Sequence, residues 1–428
     1  MTTPNIVILS SLDTKATEAK YLSDCIEAQG ANVIVIDIGY GRPAKMAATY
    51  SASKVAQAAG SDIDEIYGIA DTSIRSDLMM QGAAVLLRQL LTEGRCDGVV
   101  SFGGASNTTL ATSIMKTLPI GIPKMVISSA AAMPTYSAMY FGSRDITIMH
   151  SVVDLSGLND LTRAFLQRGA GGIVGMAAAS DGQIDPSGGA ALIAVTSFRF
   201  AENCCQAAMR ELVRRGYTPI PFHAQGVGEN AMENLVAQGI FAGVLDVVPA
   251  GLSEEMLGGN RAARPDRLEG AGRLGIPQVV AVSGFDMISC GPLSRRDRGD
   301  PLWEANKWAE RKMSKPDRFR VEVRTTAQEV AKIAHRVAEK LKSATGPAAI
   351  YVPLKGWSTL SVDGAELFDP EADAAFLPAL KASLGANTKL VEMDTDLNSE
   401  SFAHAMVDTL LDMIENRESW SNADRESQ

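Results

Sequence analysis

The sequence predicts an α/β protein built from two doubly wound, Rossmann-like parallel-sheet subdomains. Three observations carry that expectation. Short β-branched runs alternate with segments of helical period, the pattern of repeated βαβ units. The alternation is interrupted once by a stretch rich in Gly, Ala and Ser, and then restarts. The chain has 428 residues, 46% of them hydrophobic, enough to bury more than one core without staples.

The elements follow in order. Asn5–Ser10 (NIVILS) reads as a strand, Lys15–Gln29 as a helix and Asn32–Ile38 as a second strand. Asp97–Phe102 is a strand, Thr108–Leu118 a helix and Lys124–Ser128 a strand. The stretch Gly169–Gly189 should hold a helix and then a linker near Asp181–Gly189, which divides the chain into residues 1–185 and 186–428. The second half offers strands at Ala190–Phe198, Thr218–His223, Gly243–Val248, Gln278–Ser283, Ala348–Pro353 and Lys389–Met393. Its helices fall at Asn203–Arg215, Asn230–Gln238, Thr325–Ser343 and Ser401–Glu415, and the polar end Asn416–Gln428 should fray. Asp286–Arg324 has an excess of Lys and Arg and no sustained period. It reads as a long excursion: a lid, a solvated surface loop or a dimer arm.

Composition removes several function classes. Forty Lys and Arg against fifty Asp and Glu give a net charge of -10, which opposes a nucleic-acid partner. The cysteines, Cys25, Cys96, Cys204, Cys205 and Cys290, form no CxxC and no metal spacing, as expected of reduced thiols. The start MTTPNIVILSS lacks a basic region and a long apolar run, and no apolar run of about 18 residues follows. A cytoplasmic protein without a membrane partner is expected.

Chemistry concentrates where strands end, the edge at which open α/β sheets bind ligands. Gly103–Thr109 (GGASNTT) links the strand DGVVSF to a helix. Gly103 and Gly104 let a backbone approach an anion, while Ser106, Thr108 and Thr109 offer hydroxyls. The helix start adds unpaired N–H groups and a positive dipole end. The same residues also suit a tight turn with a Ser or Asn cap. Ser10–Lys15 (SSLDTK) ends the first strand. There Lys15 could face a phosphate and Asp13 a metal or a ribose, or both could simply start a helix. Glycines of the nicotinamide type are missing at this position, which argues against a dehydrogenase. Asp37, closing the second strand, stands where a ribose-binding acid often does.

In the second half, His223 ends a strand and Gly226, Gly228 and Glu229 lead into a helix. Cys204 follows the preceding strand near a helix start, a place that can make a thiol nucleophilic, with His223 as base. A buried inert thiol and a structural histidine are the alternative. Asp246, the SGFD loop with Asp286, and the KGWS loop with Lys355 end further strands on the same rim. Cys204, His223, Glu229, Asp286 and Lys355 thus form a pool of acid–base groups.

The order of these motifs is specific: strand–DTK, the GG loop, LPIGIPKMVIS, SVVD, FHAQGVGENAMENLV, GVLDVV, SGFDM and KGWS. It resembles the Tm-one-like ATP-binding domain family over about residues 4–415. The resemblance implies two Rossmann-like subdomains, ATP with or without Mg in the first, and a homodimer or higher homo-oligomer. By position, ATP would meet Asp13, Thr14 and Lys15, and Gly103, Gly104, Ser106, Asn107, Thr108 and Thr109. Two departures stand out. Ser106 and Asn107 replace glycines of the family loop. Pro316-Asp317 replaces a His-Asn pair, ahead of Val323-Arg324-Thr325 in place of MRT. Three functions compete: a nucleotide-binding protein, a hydrolase or lyase acting on a small carboxylate or phosphorylated metabolite in an interdomain cleft, and a protein-interaction module.

Overall fold

The computed structural model describes residues 3–179 and 189–416. Except for Gly189, the expected linker lies outside them, as does the tail beyond Asn416. The chain forms two compact units, Met1–Ile184 and Asp185–Gln428.

The first unit contains β1 (Asn5–Ser10), α1 (Ala16–Glu27), β2 (Asn32–Asp37), α2 (Ala52–Ala58), α3 (Ile63–Gly68), α4 (Thr72–Thr92), β3 (Gly98–Gly103), α5 (Ala105–Met115), β4 (Lys124–Ser128), α6 (Pro134–Phe141), β5 (Ile146–His150) and α7 (Asp160–Ala178). Its sheet is parallel throughout, in the order β2-β1-β3-β4-β5. Strand alternation supplies both faces. Val7 and Leu9 pack with α2, α4 and α5, while Ile6 and Ile8 pack with α1 and α7. This is the doubly wound arrangement. The order reverses between β1 and β3, so their C-terminal ends part there and leave a crevice. Helix α4 escaped the sequence reading. Asp71 caps it, accepting from Ser73 N at 2.8 Å, and Gly82 lets it cross α2 closely, because a Cβ there would overlap the Val55 carbonyl.

The second unit contains β6 (Leu192–Ser197), α8 (Glu202–Arg214), β7 (Thr218–His223), α9 (Val227–Val236), β8 (Gly243–Asp246), α10 (Gly251–Leu257), α11 (Gly270–Leu274), β9 (Gln278–Ala281), β10 (Met287–Ser289), α12 (Ser294–Asp297), α13 (Pro301–Ala305), β11 (Met313–Ser314), β12 (Glu322–Arg324), α14 (Ala327–Lys342), β13 (Ala348–Pro353), α15 (Pro370–Asp373), α16 (Phe376–Ser383), β14 (Thr388–Met393) and α17 (Glu400–Glu415). The main sheet runs β14-β13-β9-β8-β6-β7, again all parallel. Counted from β6, this repeats the first unit's order and adds one edge strand. Helices α8 and α17 cover one face, and α14 and α16 the other.

The excursion expected at Asp286–Arg324 is a packed structure. Strands β10, β12 and β11 form a small antiparallel sheet. Its own core holds Ile288, Cys290, Trp303, Trp308, Val321 and Val323. Trp303 meets Trp308 edge to face at 5.8 Å and donates from Nε1 to the Cys290 carbonyl at 3.1 Å. Strands of two or three residues are too short to show a period, which is why the segment read as a loop.

A buried ionic knot holds the rim of the second sheet. Arg267, 2% exposed, pairs with Glu229 (3.0 Å), Glu233 (3.1 Å) and Asp246 (2.6 Å). The carboxylates also accept backbone N–H groups. Glu229 takes those of Gly226 and Gly251, and Glu233 those of Leu268 and Gly270, all between 2.9 and 3.1 Å. A Cβ at Gly251 or Gly270 would overlap these carboxyl oxygens. Burial pushes the Glu229 and Glu233 carboxyls up, and the Arg267 charge opposes this.

Two outcomes test this packing. Arg267→Met leaves three buried carboxylates without their cation and should cost about 3–5 kcal/mol. Chemical denaturation would read the loss, and an unchanged midpoint would contradict the knot. Gly82→Ala should push α4 from α2 and cost roughly 1–3 kcal/mol, seen as a lowered thermal midpoint.

Candidate functional site

In the first unit the two loops selected from sequence meet. Ser11, Asp13, Thr14, Lys15, Tyr40, Gly41, Gly104, Ala105, Ser106, Asn107 and Leu110 line one cavity of about 350 Å³. It lies at the reversal of strand order, beyond the ends of β1 and β3. Both adjoining helices start there without a side-chain cap. Lys15 occupies the N-cap of α1 and Gly104 that of α5. Their first-turn N–H groups are therefore available to a ligand. A Cβ on Gly104 would meet only Ser129 Oγ, at 3.8 Å. The glycine keeps space open toward the cavity, while its φ of -87° is one any residue adopts.

The side chains divide into those that face the cavity and those that build it. Asn107 is a builder. Its Nδ2 donates to Phe102 O at 2.6 Å and Ser101 Oγ at 3.0 Å, and its Oδ1 accepts from Ser11 Oγ at 3.2 Å. It ties the β1 loop to the β3 loop. Thr108 is fully buried, and its Oγ1 bonds Gly104 O at 2.8 Å and Ser128 Oγ at 2.7 Å. Gly103, Thr108 and Thr109 do not line the cavity. Lys15 Nζ reaches the Leu155 carbonyl. Asp37 secures the turn after β2, accepting from Leu12 N at 3.0 Å and Gly39 N at 2.9 Å. Burial pushes its carboxyl up against the pull of those N–H groups, and the nearby Asp13 adds to the rise. Asp13 differs. It is 7% exposed and lines the cavity, and its Oδ1 has no hydrogen-bond partner. Buried acceptors left unsatisfied are costly, so a donor or cation is wanted here.

In the second unit the five acid–base candidates have different surroundings. Cys204 is fully buried in the first turn of α8. Desolvation pushes its thiol well above the ordinary value, the opposite of what a thiolate nucleophile needs. His223 is exposed, its ring edge to face with Phe198 at 5.2 Å. Glu229 is spent in the Arg267 knot. Asp286 is fully buried, with Oδ2 accepting from Ser358 Oγ at 2.6 Å and Oδ1 without a partner. Lys355 is exposed and pairs with Asp394 at 2.9 Å. Of the five, only Lys355 lines the cavity of about 490 Å³ beyond the end of β13.

The sequence reading missed three groups here. Asp373, on the four-residue helix α15, lines that cavity. Arg324, in the segment matched to the MRT motif, is buried, pairs with Asp373 and donates to the Asp286 carbonyl at 2.7 Å. Arg261 pairs with Glu254 (2.6 Å) and Glu322 (2.9 Å) and lies 4.8 Å over the Phe198 ring. Arg324 has one sequence signal, its place in the segment matched to the MRT motif, which gives it no role; Asp373 and Arg261 have none. Each sits in an irregular connection or a very short element.

Among the described residues no group of three or more His, Cys, Asp or Glu could hold a metal ion, and no helix is long and apolar enough to cross a membrane.

Comparison with known proteins places this architecture. Residues 4–182 match the "Uncharacterised protein family (UPF0261) N-terminal domain" and residues 190–414 its C-terminal domain. A UPF0261 protein of Clostridium tetani is 34% identical over 411 residues, 96% of this chain and 99% of that protein. One from Brucella suis is 31% identical over 410 residues, 94% of this chain and 93% of the relative. The ToMV susceptible protein tm-1 of Solanum lycopersicum is 29% identical over 96% of this chain, which spans 56% of that longer protein. Both halves and nearly the whole length agree, and the chain belongs to the UPF0261 family.

Proposed function

We propose that the first unit binds a nucleotide, ATP or a close relative, with its phosphates at the start of α5. One observation carries the reading: an open cavity at the reversal of strand order where two uncapped helix N-termini meet. Such a place favours anions through free N–H groups and aligned peptide dipoles. The residues fit the group in a definite way. Backbone N–H groups of Ala105, Ser106 and Asn107 would meet the phosphates, with the Ser106 hydroxyl beside them. Asp13, with its unpartnered Oδ1, would accept ribose hydroxyls or hold Mg. Asn107 and Thr108 act beneath this surface by fixing its shape. ATP bound here would bring its own negative charge into an acidic protein, and the local N–H groups answer that charge where the overall balance does not.

Thermal unfolding with and without ATP and Mg tests this. At 100 times the dissociation constant, ATP should stabilise the folded state by about 2.7 kcal/mol, several degrees for a unit of this size. Gly104→Val should fold normally, since its Cβ has room within the protein, yet it should remove the shift. Asp13→Asn should weaken the shift and its Mg dependence. No shift with ATP, or one that Gly104→Val leaves intact, would sink the assignment.

A further inference from the structure

The cavity of about 490 Å³ in the second unit is distinct from the proposed nucleotide site and has its own chemistry. It opens beyond the C-terminal end of β13, the ligand edge of this sheet. Val352, Leu354, Trp357, Phe368 and Leu377 give it apolar walls. Its size and lining are those of a small-molecule site. The floor is fixed from beneath. Trp357 N donates to Ser361 Oγ at 3.1 Å, and Ser358 Oγ donates to buried Asp286 at 2.6 Å. Asp373 is held in place by Arg324, itself anchored on the carbonyls of Asp286 (2.7 Å) and Asp369 (3.0 Å).

The charged groups of the lining are Lys355, Asp363 and Asp373. Lys355 is already matched by Asp394. Arg324 is buried behind Asp373 and does not line the cavity. Arg324 pairs with Asp373 from behind, but among the described residues Asp363 in the lining and Asp286 beside Asp373 have no ion pair, so the net charge around the cavity is negative. We propose that this cavity binds a small organic cation, a primary amine on an apolar body, with Asp373 as its counter-charge. The apolar body would fill the wall of Leu354, Trp357 and Leu377, and the ammonium would donate to the Asp373 carboxylate.

The same geometry gives a pH signature. Burial pushes the Asp373 carboxyl up to about 6, opposed by Arg324 and reinforced by Asp286 and Asp369. Asp369 is in turn 3.8 Å from Lys312, and Glu329 of neighbouring α14 is held by Arg311 at 2.7 Å. An amine stays protonated across this range, so only ionisation of Asp373 changes. Affinity should rise about tenfold between pH 5 and pH 7.

Calorimetric titration of the full chain with 2-phenylethylamine, phenylacetate and 2-phenylethanol tests the proposal. The amine should bind at least about tenfold tighter than either analogue at pH 7.5. Asp373→Asn should abolish that preference and flatten the pH dependence. Ala374→Trp, on an exposed position at the cavity mouth, should block binding without disturbing the Asp373–Arg324 pair. Equal binding of the three probes, no amine binding at millimolar concentration, or unchanged amine binding in Ala374→Trp would overturn it.

Discussion

The architecture of the second unit depends on one guanidinium. Arg267 meets three carboxylates from two elements, Glu229 and Glu233 on α9 and Asp246 at the end of β8. Those carboxylates also collect the backbone N–H groups at the starts of α9, α10 and α11. Three helices and a strand end are therefore referenced to one buried point. A pair of this kind is weak evidence for stability by itself, because desolvation consumes most of the attraction. Its value lies in geometry: removing the cation leaves charges that no other arrangement satisfies. The glycines around it leave room for the carboxyl groups, so charge and backbone shape are set together.

The two units share a strand order but use the reversal point differently. In the first, the ends of β1 and β3 leave an open cavity with free helix starts. In the second, the segments after β6 and β8 are packed shut. Phe198 and Phe200 follow β6 and are buried, and Arg261 lies over the Phe198 ring. The open cavity has moved along the rim to β13. Equivalent topology thus gives two different recesses, one beside two uncapped helix starts and one walled by apolar side chains with a carboxylate.

Much of this was legible in the sequence, for physical reasons that vary by residue. Buried parallel strands are continuous β-branched runs, so β1, β2 and β13 stood out. The DTK and GG loops were visible because they follow strand ends, although the same residues also suit capped turns, and only the structure brings the two loops to one cavity. The roles of individual residues within them were less visible. Asn107 and Thr108 look like ligand donors in sequence, and only their distances to Phe102 and Ser128 show them bracing the turn. The most recognisable stretches turn out to mark internal ties. LPIGIPKM contains Lys124, which is buried and bonds Pro119 O, Ile122 O and Asp145. FHAQGVGENAME and GVLD supply the carboxylates around Arg267. Asp373 was invisible, because a four-residue helix has no period and an acid in the first turn after a proline looks like an ordinary partner of the helix dipole.

The buried acids of the second unit have one more consequence. Glu229, Glu233 and Glu322 are held above the ordinary glutamate range by burial, and Asp373 is raised to about 6. Near pH 5 the folded unit therefore keeps a proton on Asp373 that an extended chain releases. Through Asp373, folding takes up a proton in mild acid, a contribution lost as the pH climbs through about 6, while Glu211, held down to about 2 by its hydrogen bonds to Arg214 and Arg215, acts in the opposite sense. A protein whose overall charge is -10 thus carries, inside one half, a carboxyl that mild acid neutralises in the folded state.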